Sequence, residues 1–375
     1  KFVTDKYRWE VKNNLLSGIV LGPLLQIFVR YRKDIAWVYY AHRVFFLVAM
    51  ACVNTFFSVL EELLYSRAIE RVELHPRPVF ILGHPRTGTT HVHNLLAQDG
   101  RFAYANTFQS GFPSTFLLLE RFKWLLAPIM DRTRPMDNMS LDFDLPQEDE
   151  IATNVLSAGT SPYLQIAIMK PFALFKPYFG FGSDCAPEDR ERWKSSFLHF
   201  MRKVTLRHGH KPLLIKSPVH TARVALLSDL FPEATFIYCH RNPYEVFQSS
   251  ANMARKYYPY CYLNRPKEED VLNFIVDQYV ELYDLYVRER ASLLGRGKVV
   301  EVAFLDLDES PVEVVAGIYH HFGWDCADQA AARVRQYLGS LKDFKKNAHE
   351  PLDGASAALV REKWRESFKT FGYKL

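Results

Sequence analysis

One short segment restricts the fold of this chain more than any other feature of its sequence. Residues 79–91 read Val-Phe-Ile-Leu-Gly-His-Pro-Arg-Thr-Gly-Thr-Thr-His, an apolar run followed by a turn and then by a stretch that suits a helix start. Gly83 and Gly88 let the backbone wrap closely, and exposed N–H groups with the helix dipole favour a phosphate or sulfate. The segment therefore predicts an anion-binding loop between a buried strand and a helix.

Beyond this loop, short β-rich runs alternate with amphipathic helical stretches, which is typical of a parallel sheet covered on both faces. The candidate strands are Val79–Leu82, Leu213–Ile215, Thr235–Cys239 and Val299–Phe304. The candidate helices are Thr89–Gln98, Pro187–Arg207, Ala222–Leu230, Pro243–Lys256, Glu268–Leu294 and Ala357–Phe371. The pattern predicts an α/β fold, a P-loop-like parallel sheet flanked by helices.

Residues 1–75 form an apolar helical extension in front of the predicted catalytic domain, residues 76–375. The extension has apolar runs at Leu15–Val29 and Val44–Leu60, separated by the basic, aromatic stretch Arg30–Arg43. Both runs fall short of the roughly 20 apolar residues of a membrane span. They fit either helices buried against the catalytic domain or a segment lying in a bilayer interface, where Trp, Tyr, Arg and Lys suit the headgroup region.

Composition narrows the partners and the compartment. With 48% hydrophobic and 24% charged residues, the chain has the composition of a globular protein. Its net charge of +5 is modest, and its sequence has no stripe of Lys and Arg of the kind that nucleic-acid binding needs. Five scattered cysteines without a CxxC pair argue against a disulfide framework and a zinc site. We expect no metal, and a cytoplasmic or membrane-associated protein. The Golgi lumen is the alternative if an anchor upstream of Lys1 was removed.

The anion-binding loop differs from that of the nucleoside-triphosphate hydrolases. Their pattern GxxxxGK[ST] keeps its glycine spacing here, but Thr89 stands where the lysine belongs, and the cation is Arg86, upstream of the second glycine. The segment Pro-Arg-Thr-Gly-Thr-Thr resembles the 5′-phosphosulfate loop of the sulfotransferase superfamily. The resemblance implies that the loop binds 3′-phosphoadenosine 5′-phosphosulfate (PAPS).

A second strand, turn and helix follows at residues 235–250. Asn242 suits the N-cap and Pro243 the first helical position, so Arg241 ends the strand and Ser249 lies about two turns into the helix. An Arg with a Ser eight positions later resembles the superfamily's 3′-phosphate element, in which the guanidinium and the hydroxyl bind the phosphate. The resemblance assigns the cofactor to Arg86, Thr87, Gly88, Thr89, Thr90, Arg241 and Ser249, and it covers residues 78–322.

A third strand end supplies the candidate base. Residues 213–220 read Leu-Leu-Ile-Lys-Ser-Pro-Val-His, which resembles the Lys-Ser-Pro-x-His segment of a broad branch of the superfamily. His220 suits the proton acceptor, because an imidazole accepts a proton at neutral pH. Lys216 and Arg86 suit the second role, which is to neutralise the negative charge on the sulfuryl oxygens and on the leaving phosphate. Glu148 is the second choice for the base, and His91 and His93 are further candidates.

We therefore expect a PAPS-dependent sulfotransferase that acts on a hydroxyl acceptor. Aromatic residues crowd an insert at residues 103–182, which favours a small lipophilic or phenolic alcohol over a polysaccharide. The alternatives are a P-loop kinase or hydrolase and a membrane-associated nucleotide-binding protein without catalysis. The superfamily's Gly-rich C-terminal element is not recognisable here, so the residues that hold the adenine stay open, as do the oligomeric state and a peripheral membrane contact.

Overall fold

The computed structural model describes residues 1–125, 131, 133, 139, 141–341 and 352–375. The strands are β1 (Val79–Leu82), β2 (Leu214–Lys216), β3 (Thr235–His240) and β4 (Val299–Ala303). The α-helices are α1 (Leu21–Arg30), α2 (Ala41–Glu70), α3 (Thr89–Leu96), α4 (Thr107–Gly111), α5 (Phe116–Leu119), α6 (Asp149–Leu156), α7 (Leu164–Ala167), α8 (Pro177–Gly180), α9 (Pro187–His208), α10 (Val224–Leu230), α11 (Pro243–Lys256), α12 (Tyr258–Cys261), α13 (Glu268–Gly295), α14 (Phe304–Glu309), α15 (Pro311–Phe322), α16 (Ala327–Ser340), α17 (Gly354–Lys363) and α18 (Arg365–Phe371). Three short 3₁₀ helices also occur among these residues, at Glu120–Leu125, Phe172–Leu174 and Pro218–Ala222.

Within the described residues the strands form one parallel sheet in the order β2-β1-β3-β4. Its register places Phe80 of β1 opposite Ile215 of β2 and Phe236 of β3. The central strand β1 is buried at all four positions, as expected for a parallel strand with helices on both faces. Because the strands run in the same direction, the loops that follow them emerge at one edge of the sheet.

The chain packs as two compact units. The sheet unit comprises residues 75–104, 211–252 and 275–375, and the helical unit comprises residues 1–74, 105–210 and 253–274. The insert predicted at residues 103–182 thus packs almost entirely with the N-terminal helices. The division of the chain into an extension and a catalytic domain from residue 76 remains a proposal about function.

Each unit has a core of its own. In the sheet unit, apolar side chains of the strands pack against α3, α15 and α16, with Ile81, Ile237 and Tyr319 completely buried. In the helical unit, α1 and α2 pack with α6 and α7 around side chains such as Leu24, Leu47 and Leu164.

The long helix α2 has the length and composition of a membrane span, and only 22% of its most apolar stretch is buried in the protein. The sequence predicted two apolar runs here, Leu15–Val29 and Val44–Leu60. The first forms α1 with the turns before it, and the second is the middle of α2. The apolar N-terminal helical region is therefore confirmed. The expectation that both runs fall short of a span was wrong for the second, because α2 extends beyond that run at both ends and has 30 residues.

The predicted fold class is confirmed, and the strands begin and end within one residue of the predicted limits. Two helical predictions differ from the structure. The stretch predicted as one helix from Ala222 begins as the 3₁₀ helix Pro218–Ala222, because Pro218 and the backbone bond from His220 N to Ser217 O (3.0 Å) form a tighter turn. The C-terminal helix is broken at Trp364 into α17 and α18.

Candidate phosphate-binding and catalytic site

The predicted site residues of the sheet unit follow the carboxyl ends of its strands. β1 leads into the anion-binding loop, β2 into Ser217 and the turn of His220, and β3 into Arg241. β4 ends immediately before Phe304, the first residue of α14. Segments distant in the sequence thus meet at one edge of the sheet, where ligands bind in open α/β folds.

The loop after β1 is shaped for close approach to an anion. Gly83 and Gly88 have φ angles of +135° and +97°, which side chains other than glycine rarely adopt. A Cβ at Gly83 would lie 2.4 Å from the backbone oxygen of Cys239, and one at Gly88 would lie 2.8 Å from the ring of Phe304. Gly88 is also the N-cap of α3, whose first residues are Thr89 and Thr90. The loop therefore fits a phosphate or sulfate at a helix N-terminus.

Arg86 joins the two predicted cofactor elements. Its φ of 78° turns the backbone at the tip of the loop, and its Nε donates to Ser249 Oγ at 2.9 Å. Ser249 lies on α11, after β3, and is buried. The sequence predicted Arg86 at the phosphosulfate and Ser249 at the 3′-phosphate. The structure brings these two side chains into direct contact, so Arg86 also lies at the predicted 3′-phosphate element.

Arg241 lies next to this pair. Its Nη1 is 3.4 Å from the backbone oxygen of Arg86, and its Nε donates to Glu245 at 2.7 Å. Its guanidinium lies 4.0 Å from the centre of the Phe304 ring, a cation–π contact. Asn242 Oδ1 accepts from Tyr244 N at 3.0 Å, which is the capping role predicted for Asn242. The guanidinium is thus oriented by an aromatic ring and by a carboxylate.

The candidate base lies deeper in the same unit. His220 is completely buried, with its ring edge-to-face on Phe80 at 5.8 Å between centroids. Lys216 is the last residue of β2, is 1% exposed and has its Nζ 3.4 Å from Thr90 Oγ1. The lysine thus reaches the first turn of α3, as a group that neutralises a sulfuryl oxygen there would need to do.

Two competing histidines belong to α3. His93 is buried, with its ring edge-to-face on Tyr104 at 6.1 Å. His91 is only partly buried. The packing of His93 favours a core role for this side chain.

Glu148 belongs to the helical unit, where it is the N-cap residue of α6. Its carboxylate accepts a hydrogen bond from the hydroxyl of Tyr163. Burial raises the pKa of Tyr163 well above its usual value, and the carboxylates around it add to this shift. The Glu148 carboxylate is therefore engaged in a side-chain contact within the helical unit.

Several residues that no sequence pattern indicated line a cleft beside the loop. They are His84, Thr221, Tyr238, His240, Tyr279, Leu282 and Tyr283, together with the predicted Thr87 and Arg241. Thr221 Oγ1 accepts from Gly83 N at 2.7 Å and so fixes the first turn of the loop. Burial lowers the pKa of His84 to about 3 and that of His240 to about 4, so both imidazoles are neutral at pH 7. Proximity in sequence to Gly83 and Arg241 was the only available signal for these histidines.

In the helical unit, the aromatic side chains of the insert largely pack against one another. Phe116, Phe175 and Phe179 are completely buried. Phe108 has ring contacts with Phe112 at 5.2 Å and with Phe143 at 5.4 Å. These side chains form core, so the acceptor pocket predicted from them is a proposal only.

Comparison with protein families matches the segment that contains the predicted site residues. A family described as "Sulfotransferase family" matches residues 78–328. Curated relatives in Mycobacterium bovis and Mycobacterium tuberculosis, both called omega-hydroxy-beta-dihydromenaquinone-9 sulfotransferase Stf3, are 31% identical over 324 residues, covering 86% of this chain and 82% of the relative. The family match contains the anion-binding loop, and the match to the curated relatives extends over most of the chain.

Solved structures share the fold. The sulfotransferase STF1 from Mycobacterium tuberculosis aligns with a TM-score of 0.64 at 18% identity, covering 98% of this chain and 94% of that one. The sulfotransferase STF9 from Mycobacterium avium aligns with a TM-score of 0.64 at 20% identity, covering 85% of this chain and 82% of that one. At these identities the likeness establishes the common architecture.

Proposed function

The chain belongs to the sulfotransferase family, and from this premise we propose that it transfers the sulfuryl group of PAPS to the hydroxyl of a lipophilic acceptor. Its class, a PAPS-dependent sulfotransferase, follows from the family. The observation that supports the proposed cofactor site most strongly is the bond from Arg86 to Ser249, which links the predicted phosphosulfate loop to the predicted 3′-phosphate helix.

The cofactor binds across these two elements. The 5′-phosphosulfate accepts hydrogen bonds from the loop and from the first turn of α3, at Thr87 to Thr90, and Gly88 lets it approach the backbone closely. The 3′-phosphate takes Arg241 and Ser249, with Arg86 between the two groups. Glu245, which holds Arg241 at 2.7 Å, orients that guanidinium before the phosphate arrives. We expect no metal ion in this step, because the positive charges come from the chain.

The transfer moves one proton and one sulfuryl group. The acceptor oxygen forms a bond to sulfur while the bond from sulfur to the bridging phosphate oxygen breaks, and adenosine 3′,5′-bisphosphate leaves with that electron pair. We propose that His220 takes the hydroxyl proton, while Lys216 and Arg86 neutralise the sulfuryl oxygens and the leaving phosphate. Because His220 is buried, the acceptor must enter a water-poor interior, which suits an apolar alcohol.

Glu148 is the alternative base. Its carboxylate is engaged by the hydroxyl of Tyr163, whereas His220 lies in the turn directly after the strand that carries Lys216, which is why we assign the role to His220. Because the two candidates belong to different units, the assignment also proposes that the base and the cofactor elements share one unit.

The acceptor is proposed as a lipophilic alcohol. The relatives named above are called sulfotransferases of a hydroxylated dihydromenaquinone, a lipophilic molecule with a terminal hydroxyl. An acceptor of this kind dissolves in membranes, so we further propose that the enzyme works in peripheral contact with a membrane.

The test is a screen with labelled PAPS and no added metal. Long-chain and isoprenoid alcohols presented in detergent micelles should accept the label, whereas glucose and other sugars should accept little. Transfer to sugars alone would leave the enzyme class intact and remove the lipophilic acceptor. Absence of transfer to every alcohol, with intact binding of adenosine 3′,5′-bisphosphate, would favour a nucleotide-binding protein without catalysis.

A further inference from the structure

The helix α2 buries both polar and apolar residues on the side that faces the protein, whereas the side that faces outward is apolar over most of its length. The inward side includes three polar residues that are almost completely buried: Arg43, Asn54 and Glu61. A helix on the surface of a protein in water instead has an apolar stripe inward and a polar face outward. This difference calls for a partner on the outward side.

The inward side is tied to the helical unit by satisfied polar contacts. Arg43 donates from Nη1 to Tyr262 O at 2.8 Å and from Nε to Glu10 O at 3.0 Å. Asn54 Nδ2 donates to the backbone oxygens of Ser17 and Ile19 at 2.9 and 3.0 Å. These bonds fix the rotation of the helix about its axis, so the outward side cannot turn inward without leaving buried polar groups unpaired.

Farther along the helix, Glu61 forms a buried ion pair with Lys203 of α9 and accepts from Leu118 N at 3.0 Å. Removing either partner of a buried pair costs several kcal/mol, so α2 is held along most of its length. A helix attached to protein along one whole side by charged and amide groups is not placed to cross a bilayer by itself.

The outward side is a continuous apolar stripe, which we call the α2 face. Its members recur at helical spacing and are Phe45 (76% exposed), Val53 (49%), Phe56 (62%), Val59 (55%) and Leu63 (76%). From Val44 to Leu60 the helix has no Asp, Glu, Lys or Arg. Large side chains left this exposed in a row are unfavourable in water and mark an interaction surface.

Cations and aromatic side chains flank the start of α2. Arg30, Arg32 and Lys33 are exposed at the end of α1 and just after it. Trp9 is 71% exposed with its ring 4.7 Å from that of His42, and Trp37 is 39% exposed. Exposed Trp beside Arg and Lys is typical of the membrane–water interface, and the cations attract anionic headgroups.

We propose that the α2 face docks in the interface of an anionic lipid bilayer, with α2 parallel to the membrane plane. A second copy of the chain would cover the stripe too, but it would bring its own Arg30, Arg32 and Lys33 rather than the opposite charge. The membrane satisfies both the apolar stripe and its cationic flank. The inference deepens the peripheral membrane contact proposed above by naming the surface that makes it, and it rests on the proposed function in that a lipophilic acceptor gives the docking a use.

The experiment is flotation of the full chain with vesicles of phosphatidylcholine, alone or with about one-third phosphatidylglycerol. The wild-type protein should float, and more of it with the anionic vesicles. The double variant Val53→Glu/Phe56→Glu should partition at least about tenfold less, because two apolar side chains that would enter the bilayer interface become charged. Leu294→Glu is the matched control, since Leu294 is an exposed leucine (42%) near the end of α13, and it should float like the wild type.

A second pair of measurements separates docking from folding and from catalysis. Because Val53 and Phe56 are exposed, the double variant should keep the wild-type melting temperature, and Val53→Ser/Phe56→Ser should show the same loss of flotation without added charge. Transfer from PAPS to a detergent-dissolved alcohol should be unchanged, while transfer to the same alcohol in vesicles should fall with flotation. The variant Arg32→Gln/Lys33→Gln should lose the preference for anionic vesicles and keep basal flotation.

Three results would overturn the proposal. One is a wild-type protein that does not float with either vesicle. Another is equal flotation of the wild type and the double variant. The third is a wild-type dimer in solution that Val53→Glu/Phe56→Glu converts to a monomer, which would make the α2 face an interface between copies. Loss of all transfer activity with flotation intact would count against the proposed function and leave the docking supported.

Discussion

The anion-binding loop of the sheet unit and the helix α2 of the helical unit place polar groups in opposite ways. The loop collects donors and cations at an edge of the sheet, with Gly83 and Gly88 giving the backbone access and Arg86 bonded to Ser249. In α2 the buried polar side chains, such as Arg43 and Asn54, donate hydrogen bonds to backbone oxygens, and the exposed side is mostly apolar. The first arrangement suits the anion proposed to bind there, and the second suits the apolar surface proposed to cover it.

The two regions differ in how far each depends on residues that are close together in the sequence. The loop needs residues within thirteen positions, so its chemistry can be read in one segment. The orientation of α2 depends on partners at Glu10, Ser17, Lys203 and Tyr262, which no local pattern contains. If this comparison is right, cofactor chemistry resides in the sheet unit and membrane contact in the helical unit.

The largest expected effect is a loss of turnover, and it tests the assignment of the base to His220 in the sheet unit. His220→Ala should lower turnover by about a hundredfold or more, since general-base catalysis contributes on that order, with binding of adenosine 3′,5′-bisphosphate retained. Steady-state transfer kinetics and calorimetric binding are the measurements. His93→Ala, which removes another buried histidine of the same unit, should keep most of the activity.

Glu148→Gln is the companion variant from the helical unit. Turnover that survives in His220→Ala and is lost in Glu148→Gln would move the base to the helical unit, and the division of labour described above would fail. A His220→Ala protein whose melting temperature falls well below that of His93→Ala would indicate a packing role for His220 instead.

A somewhat smaller effect concerns the backbone of the loop. Gly88→Ala should lower the free energy of unfolding by about 2 kcal/mol, because alanine is strained at a positive φ and its Cβ meets the Phe304 ring. Cofactor binding should weaken with it, as the loop shifts away from the phosphosulfate. Denaturant unfolding and binding titrations measure the two losses.

Gly100→Ala is the control for that variant, because a Cβ at Gly100 meets nothing within 4 Å and its backbone needs no positive φ. It should change neither quantity by more than a few tenths of a kcal/mol. Equal stability of the two variants would contradict the close packing of the loop on Phe304.

The smallest effect is a pH dependence in the sheet unit. The pKa of His240 is lowered from 6.5 to about 4 by burial, against the opposing influence of Glu301 and Asp306. The unfolded chain therefore binds a proton that the folded one does not, and stability present above pH 6.5 is lost as the pH falls toward 4. Thermal melts of the wild type should show a steeper fall across this window than those of His240→Asn.

His320→Asn, at an exposed position on α15, is the control for the pH series and should follow the wild-type profile. A His240→Asn profile that coincides with that of the wild type would mean that His240 does not remain neutral in the folded protein.

The sheet unit could be predicted closely from the sequence. Strand limits, the capping role of Asn242 and the order of the phosphate elements all follow from local patterns, since glycine, proline and β-rich runs act within a few residues. The contact of Arg86 with Ser249 could not be predicted, because it joins residues 163 positions apart. For the same reason the positions of Phe304 and Thr221 beside the loop were missed.

The helical unit could be predicted only in part. Hydropathy indicated apolar helices, but it gave the same pattern for a buried helix and for one with an exposed apolar side. In the aromatic insert, composition gave no indication that Phe116 and Phe175 are completely buried, and the acceptor pocket there stays a prediction. Composition records how apolar a segment is and leaves open what covers it.

The central claim is that the sheet unit binds the cofactor without a metal through Arg241 and the loop. Equilibrium binding of adenosine 3′,5′-bisphosphate in the presence of a chelator tests it most directly, with Arg361→Ala as the control arginine, exposed and bonded to Tyr244 of α11 at 3.2 Å. The account predicts binding by the wild type that magnesium does not improve. It also predicts a loss of roughly 2 kcal/mol, about thirtyfold, in Arg241→Ala and little loss in Arg361→Ala. Binding that requires magnesium, or an affinity unchanged by Arg241→Ala, would contradict it.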